Sequence, residues 1–427
     1  MGTDAQDLID YLEASPSPYH CVAETAVRLE ASGFRRWEED SPPAAIAPGD
    51  RGFICRSGTI VAWIAGTEAP QERGFRILGA HTDSPNLRLK PRPESTKEGY
   101  LQWGLEVYGS PILATWTDRD LGIAGRVTCW IDGGLQDRLV RIDDAVARIP
   151  NVAIHYNREV NQKGLHVNPQ KHLPAVVGQG ESGALLSLLA EAAGCLPEEI
   201  KGWDLGLFDL QAPTVGGLDE EFIFSARIDN QYSCYCAVRG FLALEEASPT
   251  TAVMALFDHE EVGSRSGHGA SSLFLELVLE RIVRDHTQQA EGGLSRALTK
   301  SFMVSSDMAH GVHPNYTEYH DPQHKPLLNG GPVIKTNVGM SYATDSEAAA
   351  RFRLACEQEG VPYQEHIHRS DLRCGSTIGP ICAAGLALRT VDVGAAMFSM
   401  HSIREQAGAR DVEMLTKVFA RVLTTAD

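Results

Sequence analysis

Five short segments, far apart in the chain, carry acidic residues and histidines of the types that bind metal. They are His81-Thr82-Asp83-Ser84-Pro85, Ile228-Asp229-Asn230, Asp258-His259-Glu260-Glu261-Val262-Gly263-Ser264, Ser306-Asp307-Met308-Ala309-His310 and Met400-His401-Ser402. Most directly follow an apolar run that reads as a buried strand. An open α/β sheet gathers the carboxyl ends of its strands at one edge, and ligands bind there. The pattern predicts one site assembled from scattered segments. Two histidines, three carboxylates and one spare carboxylate match the donor inventory of a dinuclear zinc hydrolase.

Each residue has a plainer reading beside this one. His81 and Asp83 alone could form a turn with an Asx cap. In the set, Asp83 is close enough in sequence to orient His81, whose free ring N–H needs an acceptor. Asp229 ends a strand and starts a helix, where aspartate is an ordinary N-cap; its two oxygens also suit a carboxylate shared by two cations. Glu260-Glu261 is the most telling pair. Two adjacent glutamates at the end of an apolar strand repel and are costly to bury. A metal removes that objection for one of them, and the other can take the proton of a nucleophilic water. The alternative is a solvated acidic turn. Asp307 and His401 each follow a strand-like run. His310 and His313 read as loop-packing or pocket-lining residues, and His166, His172, His320, His324, His366 and His368 as structural or exposed.

The net charge of −18 argues against a nucleic-acid partner. It would also repel an acidic substrate, so a preference for one needs a local cation. Nine cysteines without a C-x-x-C pair point to free thiols in a reducing compartment. The N-terminus lacks a basic segment followed by an apolar one and lacks the Ser or Thr of a myristoylation site. No apolar run is long enough to span a bilayer. These features lead us to expect a cytoplasmic protein.

At 427 residues the chain has room for two domains. Helices are expected over 4–13 and 20–32, split by Ser15-Pro16-Ser17-Pro18. Phe53–Cys55 and Thr59–Ile64 read as a strand pair, and Phe75–Leu78 as a strand into the first metal-type segment. From about 92 to 221 the pattern changes to short strands and many turns, with Gly125–Ile131 and Asn151–Tyr156 as examples and one helix near 181–193. This stretch contains none of the five segments and reads as an insertion. Afterwards strands are expected at 222–226, 252–257, 302–305 and 396–399, and helices at 231–246, 271–284, 376–388 and 411–424.

The motifs resemble those of aspartyl aminopeptidases, in the zinc aminopeptidase family that includes vacuolar aminopeptidase I. The resemblance rests on His81–Pro85, Asp258–Ser264, Ser306–His310 and Ser399-Met400-His401-Ser402-Ile403-Arg404-Glu405, with Ser15–His20 and Cys374–Pro380 in support. It runs in the same order over nearly the whole chain. It implies an α/β metallopeptidase domain with a central mixed β-sheet flanked by helices, interrupted by an inserted β-rich dimerisation domain. The boundaries would be 1–91 and 222–427 for the catalytic domain and 92–221 for the insertion. It implies two zinc ions per chain, other divalent metals being an alternative: His81 and Asp307 on one, Glu261 and His401 on the other, Asp229 bridging. Glu260 would be the general base, and Asp83 would orient a ligand. His155 would enter the site of a neighbouring subunit; its alternative is a strand-face histidine. Lys335 would meet an acidic substrate side chain; its alternative is a surface lysine. The implied reaction is removal of N-terminal Asp or Glu from peptides, in a homo-oligomer, a dodecamer built from dimers. Two rival readings remain at this point: a dinuclear exopeptidase of other residue preference, and a metal-stabilised binding protein with a vestigial peptidase site. Glu260 speaks against the second, because a purely structural metal has no need of a free base.

Overall fold

The computed structural model describes residues 3–180 and 183–425. Among them the strands form three sheets. The largest has nine strands, in the spatial order Arg35–Arg36, Arg51–Arg56, Thr59–Ile64, Thr251–Phe257, Phe75–His81, Phe302–Ser306, Arg389–Gly394, Val333–Lys335 and Gln364–His366. Four central strands, Thr251–Phe257, Phe75–His81, Phe302–Ser306 and Arg389–Gly394, run parallel. Thr59–Ile64 and Val333–Lys335 flank them antiparallel, so the sheet is mixed.

Thr251–Phe257, Phe75–His81 and Phe302–Ser306 are buried on both faces, which is why they are largely apolar runs rather than alternating ones. Side chains still alternate between two cores. Ile60, Ala62, Ala252, Met254 and Leu256 join one; Val61, Trp63, Val253, Ala255 and Phe257 join the other. The first core is closed by helices Thr3–Ala14, Pro18–Ala31, Ile228–Leu242, Ser346–Gln358 and Asp411–Thr424. The second is closed by Phe274–Asp285, Gly293–Thr299 and Ile378–Leu386. The result is a helix–sheet–helix sandwich. No helix of the described residues is long and apolar enough to cross a membrane.

A second sheet has six antiparallel strands, ordered Gly134–Ala147, Leu121–Ile131, Ile200–Asp209, Asn86–Lys97, Tyr100–Tyr108 and Ala175–Gln179. Its own core takes in Leu185 and Leu189 of the helix Ala184–Ala193. Residues 181 and 182, at the start of the expected helix, lie outside the described residues. This sheet begins at Asn86, and the later Thr214–Gly216 pairs in a different sheet.

Asn151–Tyr156 is not a strand. Residues 154–156 form an exposed turn, with Tyr156 86% exposed. The alternation of apolar residues that suggests a strand is real, but among the described residues no strand pairs with it.

The third sheet was not expected. Its order is Thr214–Gly216, Phe222–Ser225, Glu405–Gly408, Ala396–Phe398 and Ala309–His310. Arg389–Gly394 and Ala396–Phe398 are almost contiguous yet lie in different sheets. Gly394 marks the change. A Cβ there would sit 1.9 Å from the Asp307 carbonyl oxygen, so only glycine permits this approach.

Candidate metal centre

The candidate residues come from two sheets, not one edge. The nine-stranded sheet delivers His81, Glu260, Glu261 and Asp307 from the ends of parallel strands. The five-stranded sheet delivers the other two. Asp229 follows Phe222–Ser225, and His401 sits in the turn between the antiparallel strands Ala396–Phe398 and Glu405–Gly408. The strand-end principle survives, but closing the site needs the small sheet to pack against the large one.

His81, Asp229, Glu260, Glu261, Asp307, Lys335 and His401 line a single cleft. His81 Nε2 lies 3.5 Å from Asp229 Oδ1 and 3.9 Å from Asp307 Oδ1. His401 Nε2 lies 3.2 Å from Asp229 Oδ2 and 3.4 Å from Glu261 Oε2. Tetrahedral zinc places neighbouring ligand atoms about 3.3–3.6 Å apart. Ligand atoms of His81, Asp229 and Glu261 all lie within 4.8 Å of one another. Asp229 Oδ1 and Glu261 Oε1 are buried and have no hydrogen-bond partner. Buried unpaired carboxylate oxygens are costly, and a divalent cation is the partner this donor set fits.

Both imidazoles are turned with Nε2 into the cleft. His81 Nδ1 is 3.0 Å from the Asp83 carbonyl, and His401 Nδ1 is 3.0 Å from the Ser110 carbonyl. A carbonyl only accepts, so Nδ1 carries the hydrogen and Nε2 is left free to bind. Asp83 therefore holds His81 mainly through its backbone. Its carboxylate does something else: it accepts the N–H groups of Glu260 and Glu261 at 3.1 and 3.2 Å and the Tyr108 hydroxyl at 2.6 Å. It pins the turn that carries the two glutamates.

Charge is crowded here. Burial pushes the Glu260 carboxyl up to about 8; His81 acts against that shift, and Asp307, Asp83 and Asp229 reinforce it. Burial also raises Glu261, with Asp229 and Glu260 adding to it and His81 opposing. Burial works to raise Asp229 too, but the His401 and His81 imidazoles outweigh it and hold that carboxyl below its usual range. A dication among these groups reverses the local field and favours every carboxylate as the anion.

Lys335 is not a surface lysine. It is buried at the end of Val333–Lys335. Its ammonium donates to the Met308 carbonyl at 3.3 Å, lies 3.8 Å from Asp307 Oδ2 and rests 5.1 Å above the Tyr342 ring. His155 is not brought to this cleft; it lies on the exposed turn described above.

Sequence reasoning missed two contributors. Glu405 is fully buried and accepts the N–H groups of Asp229 at 3.1 Å and His401 at 2.7 Å, so one carboxylate sets the backbone of two cleft residues. It lies in the Ser399–Glu405 motif, and its place in that motif was the available signal. Tyr108 had none, since its strand belongs to the six-stranded sheet. His310 does line the cleft, as the pocket-lining reading had it. It packs against His366 and His368, and burial together with His368 and Lys335 lowers its pKa to about 4.

Two imidazoles facing opposite oxygens of one aspartate, beside paired glutamates on a strand-end turn, define a metal-dependent hydrolase on an α/β fold. Comparison with known proteins narrows the class. The chain belongs to the M18 family, the aminopeptidase I zinc metalloproteases, whose family model matches residues 11–422. It is 45% identical over 430 residues to a probable M18 family aminopeptidase 2 of Pseudomonas aeruginosa (strain UCBPP-PA14), covering 99% of this chain and 98% of that one. Its fold is similar to that in a cryo-EM structure of a complex of Ape4 and Nbr1, with a TM-score of 0.94, 37% identity, and coverage of 99% of this chain and 85% of that chain. It is also similar to the mApe1 dodecamer of S. cerevisiae, with a TM-score of 0.85, 29% identity, and coverage of 98% and 95%. The chain is a metallo-aminopeptidase.

Proposed function

We propose that this enzyme hydrolyses the N-terminal peptide bond of short peptides with a preference for Asp or Glu at that end, using two zinc ions per chain. His81 and Asp307 would hold one ion and Glu261 and His401 the other, with Asp229, which turns one oxygen toward each histidine, as the residue they would share. Metal bound there supplies Lewis-acid polarisation of the scissile carbonyl and a water acidic enough to react near neutral pH. Glu260 takes the proton of the attacking water at its carboxylate and delivers it to the leaving amide nitrogen. Asp83 and Tyr108 keep the Glu260–Glu261 turn in place while this happens.

The observation that carries the substrate preference is the buried ammonium of Lys335 facing the cleft. The overall charge of −18 disfavours an acidic peptide at long range, but salt screens that field within about 8 Å. An ammonium at contact distance, shielded from water, wins locally. One of its three N–H groups is used by Met308, which leaves donors for a carboxylate. Such a contact contributes roughly 1.5–3 kcal/mol, which is about ten- to a hundredfold in rate. Lys335→Ala is expected to lower kcat/KM for N-terminal Asp and Glu peptides by about that factor, and for N-terminal Ala peptides much less. The test is release of the first residue from matched Asp and Ala peptides, with and without chelator. Equal losses for both, or none, would remove Lys335 from the specificity pocket and leave an aminopeptidase of other preference.

In the same reading the chain divides near residues 92 and 221 into a catalytic domain and an inserted dimerisation domain, the six-stranded sheet starting slightly earlier, at Asn86, and Thr214–Gly216 already joining the five-stranded sheet. The exposed turn of the insertion offers His155 to the neighbouring subunit. Apolar residues at an exposed turn mark an interaction surface, and Val152, Ile154 and Tyr156 flank His155 there, all exposed. The similarity to a protein solved as a dodecamer supports a homo-oligomer of that size. All nine cysteines are free thiols, which suits a cytoplasmic location. If His155 completes a partner's site, mixed oligomers of His155→Ala and Glu260→Gln chains regain activity that neither parent has, because one hybrid site is whole. No recovery, in hybrids shown to have formed, places His155 outside the site.

A further inference from the structure

On the far side of the Glu260–Glu261 turn from the cleft, three more donors converge. They are Asp258, His259 and His268, and the reaction above uses none of them. Their ligand atoms all lie within 4.8 Å of one another. His259 Nε2 is 3.8 Å and His268 Nε2 is 3.5 Å from the same oxygen, Asp258 Oδ2. These spacings are close to the roughly 3.3–3.6 Å between ligand atoms on tetrahedral zinc.

Hydrogen bonding leaves the centre of this group unsatisfied. Asp258 is fully buried. Its Oδ1 accepts the His259 N–H at 2.8 Å, but its Oδ2 has no hydrogen-bond partner, and neither does His268 Nε2. A buried carboxylate oxygen left unpaired is expensive. An ordinary Asp–His hydrogen bond would remove the expense, yet neither imidazole makes one. His259 is set up as a ligand: its Nδ1 meets the Ser266 hydroxyl at 2.8 Å, which fixes the ring and leaves Nε2 turned toward Asp258.

The surrounding backbone is built to hold these donors. Thr59 Oγ1 donates to the His268 carbonyl at 2.7 Å and accepts the Asp258 N–H at 2.9 Å, so one side chain ties both ends of the loop. Ser264 N–H donates to the His259 carbonyl at 2.7 Å. Opposite, a Cβ at Gly58 would stand 2.3 Å from Asp258 Oδ2, so glycine is what lets the carboxylate lie there. The two imidazole side chains are 19% and 18% exposed, enough for a water to complete four-coordination.

We propose that Asp258, His259 and His268 bind a further divalent transition-metal ion of the zinc class, distinct from the pair in the cleft. Two imidazoles and a carboxylate are a donor set that such ions take. This ion is structural. It clamps the ends of the loop 258–268, which carries Glu260 and Glu261, onto the Thr59 strand. The assignment does not depend on which cleft residues hold which ion.

Zinc alone is the probe. The full-length protein, saturated with Zn²⁺ and dialysed against metal-free buffer, is expected to retain one equivalent per chain more than His268→Ala. His268→Gln, which keeps more of the side-chain volume, is expected to lose the same equivalent. Conversely, a His81→Ala/His401→Ala double variant, which dismantles the cleft, is expected to keep one equivalent. Circular dichroism confirms that each variant is folded. Equal zinc counts in the wild type and both His268 variants overturn the proposal, as does a cleft double variant that retains none. Failure of the cleft assignment shows differently, as a double variant that loses nothing.

Discussion

Glu260→Gln is expected to lower turnover by about 10²–10⁴-fold while zinc content stays at the wild-type level. Gln keeps the shape of Glu but cannot accept a proton at neutral pH. The turn itself survives, because Asp83 holds it through the backbone N–H groups of residues 260 and 261, which the substitution leaves in place. The burial and neighbouring carboxylates that push Glu260 up to about 8 also mean that the metal-free folded protein must take up a proton there near neutral pH, a cost that the neutral Gln does not carry. The metal-free variant is therefore expected to melt no lower than metal-free wild type. Glu261→Gln should behave oppositely: its Oε2 faces His401 Nε2 at 3.4 Å, and zinc content is what falls. Near-wild-type turnover in Glu260→Gln, measured as steady-state release from an Asp peptide, would assign the base elsewhere.

Exhaustive chelation is expected to abolish peptide hydrolysis, and added zinc to restore it. The same treatment should lower thermal stability, because an ion that binds only the folded protein stabilises it by about 4 kcal/mol at a thousandfold excess over Kd. Removing it also leaves buried Asp229 and Glu261 oxygens unpaired among like charges. Elemental analysis of active protein with no bound transition metal would end the metal-dependent reading, whichever residues are assigned to it.

The runs Thr59–Ile64, Phe75–His81, Thr251–Phe257 and Phe302–Ser306 were legible because strands buried on both faces are near-continuous apolar runs, and each of these keeps at least three consecutive apolar residues, glycine included. Arg389–Gly394, a central strand, was not, because it carries Arg389, Thr390 and Asp392. The Asp392 carboxylate is tolerated there only because Ser305, Thr377 and the Ala343 N–H all donate to it, each at 2.6 Å, and those partners come from three other parts of the chain. The helix Ser346–Gln358 escaped for a similar reason: its buried face is mostly alanine, with Phe352 as the one large apolar side chain. Asn151–Tyr156 erred the other way, since apolar alternation marks a strand only when another strand pairs with it.

The division at the site follows the range of the physics. Residue type and local spacing were enough to single out His81, Asp229, the Glu260-Glu261 pair, Asp307 and His401, which the fold brings to one cleft, because metal affinity is a property of the side chain and strand ends are local features. Which of the two glutamates would bind came only from the family resemblance. Only tertiary structure decided that two sheets share the site, that the two Asp229 oxygens face different histidines, that Glu405 and Tyr108 brace it, and that Lys335 is buried beside Asp307. The first three depend on packing between distant segments or on partners from another sheet, and the last on Arg389–Gly394, from far along the chain, lying between the strands that carry Asp307 and Lys335. Contacts of that kind leave no periodicity in any window of the sequence.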